Sequence, residues 1–132
     1  MIESAYGIKR HSPHSYEETI TKVTESLKQE GFGVLTEIDV KATLKKKIDK
    51  DFTKYIILGA CNPPLAFSAL TSEIDIGLLL PCNVVVYENP KDGKVIVAAV
   101  DPMSMLQVTG RKDLGDFADE VKAKLTRAIN AV

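Results

Sequence analysis

The sequence predicts a single α+β domain: a two-layer sandwich with helices packed on a mixed, partly antiparallel sheet. Three observations lead there. Apolar spacing switches between helical and strand periods in the order β-α-β-α-β-α-β-β-α over residues 1–132. A strongly β-prone run, a five-residue turn and a returning β-prone run make a hairpin, which requires at least one antiparallel pair. With 132 residues, 45% hydrophobic and 27% charged, the chain has the make-up of one ordinary globular domain, without repeats or low-complexity tracts.

Residues 5–10 (AYGIKR) read as the first strand. Ser15 and Glu18 fit a capping box that opens a helix. Tyr16, Ile20, Val23 and Leu27 then share one face, and Gly31 can end the helix in the left-handed region. Residues 33–38 (GVLTEI) read as a strand, and 39–48 as a short helix with Val40, Leu44 and Ile48 on one side. Tyr55 to Cys61 is apolar without alternation, as a strand covered on both faces would be. Asn62-Pro63-Pro64 combines an N-cap residue with prolines tolerated in a first helical turn. A turn at 75–77 leads through Leu78-Leu79-Leu80-Pro81-Cys82 into strand 84–88, turn 89–93 and strand 94–100. Asp101-Pro102 stops that strand. A last helix runs from about Asp113 towards Val132, with Leu114, Phe117, Val121, Leu125 and Ile129 in helical period.

Composition excludes several function classes. Seventeen Lys and Arg against eighteen Asp and Glu give a net charge of −1, so nucleic acid and anionic membrane are not expected partners. No apolar run approaches the roughly 18 residues of a membrane span. MIESAYGIKRHS lacks the pattern of a signal peptide, so a cytoplasmic location is expected. Neither a G-x-G-x-x-G nor a P-loop is present, and no cofactor is expected.

Chemistry concentrates at the two cysteines. Cys61 ends the third strand one residue before the Asn62 cap and Pro63. A helix start can lower a thiol pKa or hold an anion, whereas a buried Cys simply packs. Pro81-Cys82-Asn83 repeats the Cys-Asn pair at the entrance of the next strand. Cys61, Asn62, Pro63, Cys82 and Asn83 are therefore the ligand-binding candidates. Twenty-one positions separate the thiols, which matches no close-spaced zinc or redox motif. Adding His11 and His14, the only histidines, would complete a four-ligand metal set, but nothing in the sequence ties that loop to the cysteines. Lys41, Lys45, Lys46, Lys47 and Lys50 read as a solvated helix face, and Met103 and Met105 as core or pocket filling. Acid–base groups are scarce: Glu37, Asp39, Asp75 and Asp101 fall at strand ends and turns. Catalytic residues stay unassigned, and an enzyme is the less favoured reading.

The chain resembles the prokaryotic family catalogued as domain of unknown function 302. The resemblance rests on Gly31-Phe32-Gly33-Val34, Thr36 to Thr43, Leu58 to Pro63, Gly77 to Val86 and Asp101-Pro102, spread over residues 4–131. It implies a compact, free-standing α+β domain that forms homodimers, and it supplies no activity. It adds weight to Cys61, Asn62, Pro63, Pro81, Cys82 and Asn83 as a shared cluster. The leading expectation is a homodimeric binding module for a small ligand or anion near the Cys61–Asn62 helix start. A structural or assembly protein comes second, and a thiol-dependent redox or metal protein using Cys61 and Cys82 third.

Overall fold

In the computed structural model, which describes residues 1–132, five strands form one sheet: β1 (Gly7–His11), β2 (Gly33–Asp39), β3 (Tyr55–Cys61), β4 (Cys82–Glu88) and β5 (Val95–Val100). Their spatial order is β1-β5-β4-β3-β2. Every pairing is antiparallel, so the mixed sheet expected from the sequence narrows to a purely antiparallel one. The cause is that each connection between sheet neighbours returns the chain to the end it left. Between β2 and β3 lies α2 (Val40–Ile48), and between β3 and β4 lie α3 (Pro63–Ser72) and a 3-10 turn (Ile74–Leu79). Both bring the chain back beside the strand it came from, which forces antiparallel pairing.

Two long helices, α1 (Tyr16–Gln29) and α5 (Gly115–Asn130), pack side by side on one face of this sheet. Val23 and Leu27 of α1 and Val121, Leu125 and Ile129 of α5 meet Leu58, Val84, Val86, Val97 and Ala99 of the sheet. The sheet residues are those of one pleat face, aligned by the pairs Leu58↔Val84 and Val84↔Ala99. The buried polar side chains are satisfied. The Thr19 hydroxyl donates to the Ser15 carbonyl at 2.7 Å, and the Ser26 hydroxyl donates to the Ala128 carbonyl at 2.8 Å, joining α1 to α5.

Ser15 caps α1 as expected, its Oγ accepting from the Glu18 N–H at 3.1 Å. Asp39 caps α2 by accepting from Ala42 N–H at 2.9 Å. The segment after β5 departs from the expectation. Asp101-Pro102 does not merely stop the strand: it opens a helix, α4 (Pro102–Thr109), with Asp101 as N-cap and Gly110 ending it at φ +69°. A second 3-10 turn (Lys112–Leu114) then leads into α5.

A candidate ligand cavity at the end of the sheet

The register explains why the two cysteine segments belong together. β3 leaves the sheet at Cys61, and β4 enters it at Cys82. Ala60 pairs with Cys82 and Gly59 with Asn83. Two motifs twenty-one positions apart are thus one structural corner.

Small residues make that corner porous. Ala60 and Cys82 are buried on the helix side of the sheet but fill little volume, and Gly59, next to Ala60 in β3, faces the other way. A Cβ on Gly59 would strike the Thr36 hydroxyl and the Pro81 ring, so those two side chains already cross over its backbone. α3, the Ile74–Leu79 turn and α4 lie beyond the strand ends. They close around a cavity of about 320 Å³. Its floor is Ala60, Cys61 and Cys82. One wall is Leu65, Ala66 and Leu70 of α3 with Ile76 and Gly77. The facing wall is Met105 and Leu106 of α4 with Phe117, Ala118 and Val121 of α5. Hydroxyl and amide groups in the lining are confined to Thr36, Asn62 and Thr109, and the lining includes no carboxylate, imidazole or ammonium.

A small second core holds the walls in place. Ala69, Ile76 and Leu114 are buried against Leu70, Leu80, Leu106 and Phe117. Arg111, between α4 and α5, braces it from outside. Its guanidinium donates to the Ser72 carbonyl at 2.8 Å and the Ser72 hydroxyl at 3.0 Å, and it forks onto Asp113 at 2.6 and 3.1 Å. The hydrogen bonds between them hold the Asp113 carboxyl below its ordinary pKa and raise that of Arg111.

Asn62 is the hinge between α1 and α3. Its Oδ1 accepts from Leu65 N–H at 3.4 Å, and its Nδ2 donates to the Glu30 carbonyl at 3.3 Å. Close beside it Gly31 holds φ +86°, with room for no Cβ: one would lie 2.9 Å from Asn62 Nδ2. The first four residues of α3 offer no free N–H. Pro63 and Pro64 have no N–H, Leu65 N–H is taken by the Asn62 side chain, and Ala66 N–H by the Asn62 carbonyl at 2.8 Å.

Of the residues singled out from sequence, Cys61, Asn62 and Cys82 line the cavity together with Pro81. Pro63 opens α3 without lining it, and Asn83 is exposed in β4. Both thiols are free. Burial, and secondarily the neighbouring Cys61, push the Cys82 thiol up to about 11. That makes Cys82 a poor thiolate at neutral pH. The metal set of Cys61, Cys82, His11 and His14 does not assemble, and no group of three or more His, Cys, Asp or Glu side chains is placed to hold an ion. Register gives the reason: His11 pairs with Ile96, in the row of Tyr87 and Tyr55 at the opposite end of the strands from Ala60 and Cys82. Five residues of strand separate the two rows, about 17 Å. His14 sits at the start of α1, 3.8 Å from Glu18. The lysine cluster lies on exposed α2 and the segment after it, with Lys45 paired to Asp49 and Asp51. Met105, weighed as core or pocket filling, is a cavity residue, while Leu106 and Phe117 are lining residues that sequence reasoning did not mark as such.

The sequence matches the family described as Domain of unknown function DUF302 over residues 8–132. Among solved structures it is similar to the uncharacterized conserved protein DUF302 from Bacillus stearothermophilus, with a TM-score of 0.90 and 29% identity over 97% of this chain and 98% of that one. No curated protein matches.

Proposed function

The chain belongs to the DUF302 family, and we propose that it is a homodimeric, cytoplasmic binding module for a small apolar ligand held in the cavity between the sheet end, α3 and α4. The observation that carries this reading is the lining. A space of about 320 Å³ walled mainly by aliphatic and aromatic side chains lies within the size range of small-molecule sites. Burial of an apolar ligand there is driven by the area it removes from water. Thr36 and Thr109 are the groups that would orient it.

Two chemical points narrow the ligand class. The first turn of α3, residues 63–66, has no unclaimed N–H, which weakens the anion half of the sequence expectation. The lining has no acid–base group, so it offers binding rather than proton transfer. Thiol chemistry finds weaker support, because Cys82 is buried with a raised pKa. Two unpaired cysteines accord with a reducing compartment.

The test is titration of the full chain with an apolar fluorophore such as N-phenyl-1-naphthylamine. The protein lacks Trp, so the probe signal is unobstructed. Saturable binding at one site per chain is expected. Ala66→Phe, which fills the α3 wall, should abolish it while the fold survives by circular dichroism. Absence of saturable binding, or binding indifferent to Ala66→Phe, overturns the reading.

A further inference from the structure

Charge is unevenly placed along the chain. Every turn of α1 and α5 carries charged residues, whereas α3 and α4 carry none. Between Lys54 and Glu88 the only formal charges are Glu73 and Asp75. The elements that enclose the cavity, α3, the Ile74–Leu79 turn and α4, therefore form a nearly uncharged cap over the end of the sheet. Large apolar side chains stand out from its rim. Leu35 is 69% exposed and Leu78 87%, with Phe67, Ile74 and Val108 between those values. Leu35 lines the cavity itself, and Phe67, Leu78 and Val108 adjoin the lining residues Ala66, Gly77 and Thr109 in sequence. Among the lining residues Leu35, Thr36 and Gly77 alone are exposed, which puts the mouth between β2 and the turn. Exposed apolar surface gathered in one part of a molecule marks an interaction site.

We propose that this cap docks on the surface of a zwitterionic lipid bilayer, with the mouth of the cavity opening onto the lipid. This rests on the apolar-ligand reading of the cavity given above. Four features select a bilayer. The first is charge. Side chains that enter the acyl region must do so without a charge to desolvate, and α3 and α4 have none. Glu73 is paired with Arg111 at 3.4 Å, and the acids left beside the cap, Glu37 and Asp75, disfavour an anionic surface. The second is composition. Hot spots between proteins are rich in Trp, Tyr and Arg and poor in Leu and Val; the cap presents Leu, Ile, Val and Phe. The third is relief. The exposed side chains project from four separate elements, so a rigid partner would need a matching pocket for each. Fluid acyl chains close around them unaided, and binding grows with the apolar area buried. The fourth is continuity with the cavity. An apolar ligand collects in lipid rather than in water, and a mouth on this surface meets that reservoir.

The experiment is flotation of the full chain with phosphatidylcholine vesicles, and with the same vesicles containing phosphatidylserine, at low and high salt. The natural protein is compared with Phe67→Glu and Leu78→Glu on the cap, and with Ile48→Glu on α2, which follows the far end of β2. The natural protein and Ile48→Glu should float with phosphatidylcholine alone, undiminished by salt. Each cap variant should partition into the lipid at least about tenfold less, the scale of withdrawing one large apolar side chain from a burial site. Phe67 and Leu78 already stand in water, so both variants should fold by circular dichroism; Val108→Glu replaces either one that does not. Failure of the natural protein to float with phosphatidylcholine overturns the proposal. Flotation that needs phosphatidylserine and is lost in salt assigns binding to the lysines of α2 and overturns it too. So does flotation that the folded cap variants leave unchanged, or that Ile48→Glu weakens equally. Sedimentation velocity without lipid adds one more outcome: an oligomer that dissociates in Leu78→Glu gives the cap to a second copy instead. The fluorophore titration separates this inference from the cavity reading. A natural protein that binds the fluorophore but does not float loses the docking surface alone, and one that floats without binding the fluorophore loses the cavity reading alone.

Discussion

Asn62 reads as a ligand residue from its position, yet its geometry is that of a brace, and the two roles separate cleanly by mutation. In Asn62→Ala the α3 N-cap is lost, which costs about 1 kcal/mol with a range of roughly 0.5–2. The Nδ2 bond to the Glu30 carbonyl is lost as well, for about 0.5–1.5 kcal/mol. Both bonds are long, 3.4 and 3.3 Å, so each belongs in the lower half of its range. The sum is about 1–2 kcal/mol. Asn62→Ser keeps a capping oxygen but not the reach to Glu30, so it should recover about half. Urea unfolding followed by far-ultraviolet circular dichroism measures both, with the slope held constant to show that the transition stays two-state. A loss below about 0.3 kcal/mol for Asn62→Ala would refute the brace, since surface changes of no structural consequence fall within about 0.5 kcal/mol. Equal losses for Ala and Ser would refute the division between cap and tie. If the fluorophore affinity falls tenfold while stability is unchanged, Asn62 is a ligand contact and not a brace.

Gly59→Ala should destabilise by about 1–3 kcal/mol, because the new methyl meets the rigid Pro81 ring as well as Thr36; thermal unfolding checks this, and a neutral result would mean the crossing side chains yield. Stability should also decline as pH rises above the ordinary thiol range. Cys82 has its folded pKa raised to about 11 from 9.0, so the native state binds the proton more tightly than the unfolded chain; its contribution is complete below about pH 9 and is lost towards pH 11. The loss is at most about 2–3 kcal/mol. In Cys82→Ala that part of the alkaline slope should vanish, and persistence of the full slope would assign it to other groups. Arg111→Ala should loosen the second core, seen as faster amide exchange in α3 and α4 with α1 and β4 unchanged; uniform exchange across all elements would count against a local role.

The fold was largely legible because its signals are local. Ser15 and Asn62 announced two helix starts, and the unbroken run from Tyr55 to Cys61 announced β3, an inner strand of the sheet. The helix at 102–109 carried the same signature that identified α3, an N-cap residue followed by proline, here closed by Gly110. It was hidden because Asp101-Pro102 also reads as a strand stop, and eight residues show too little periodicity to outweigh that reading. The purely antiparallel sheet was out of reach for another reason. Strand order depends on which side of its predecessor each connection returns, and that is decided by packing.

The site was legible only at its floor. Cysteines and capping residues stand out in a sequence; the leucines that wall a cavity look like the leucines that fill a core. Leu65 and Leu70 lie on the packed side of α3, as the leucines of an ordinary core would. What they pack around is set by their partners. At the end of the sheet those partners are Ala60 and Cys82, too small to meet them, while along the sheet they are Leu58, Val84 and Val86, which fill the space under α1 and α5. The change from large to small residues along β3 is what turns a core into a cavity. The step is made between consecutive residues of one face, from Leu58 to Ala60. Replacing Ala60 by Leu in that frame should extend the core into the cavity, exclude the fluorophore, and leave stability within about 1–3 kcal/mol of the natural protein, the range for added volume in a packed site. Retained binding in a folded Ala60→Leu protein would show that the ligand space does not depend on the small residues of the strand, and the account of how this sheet makes a site would fail.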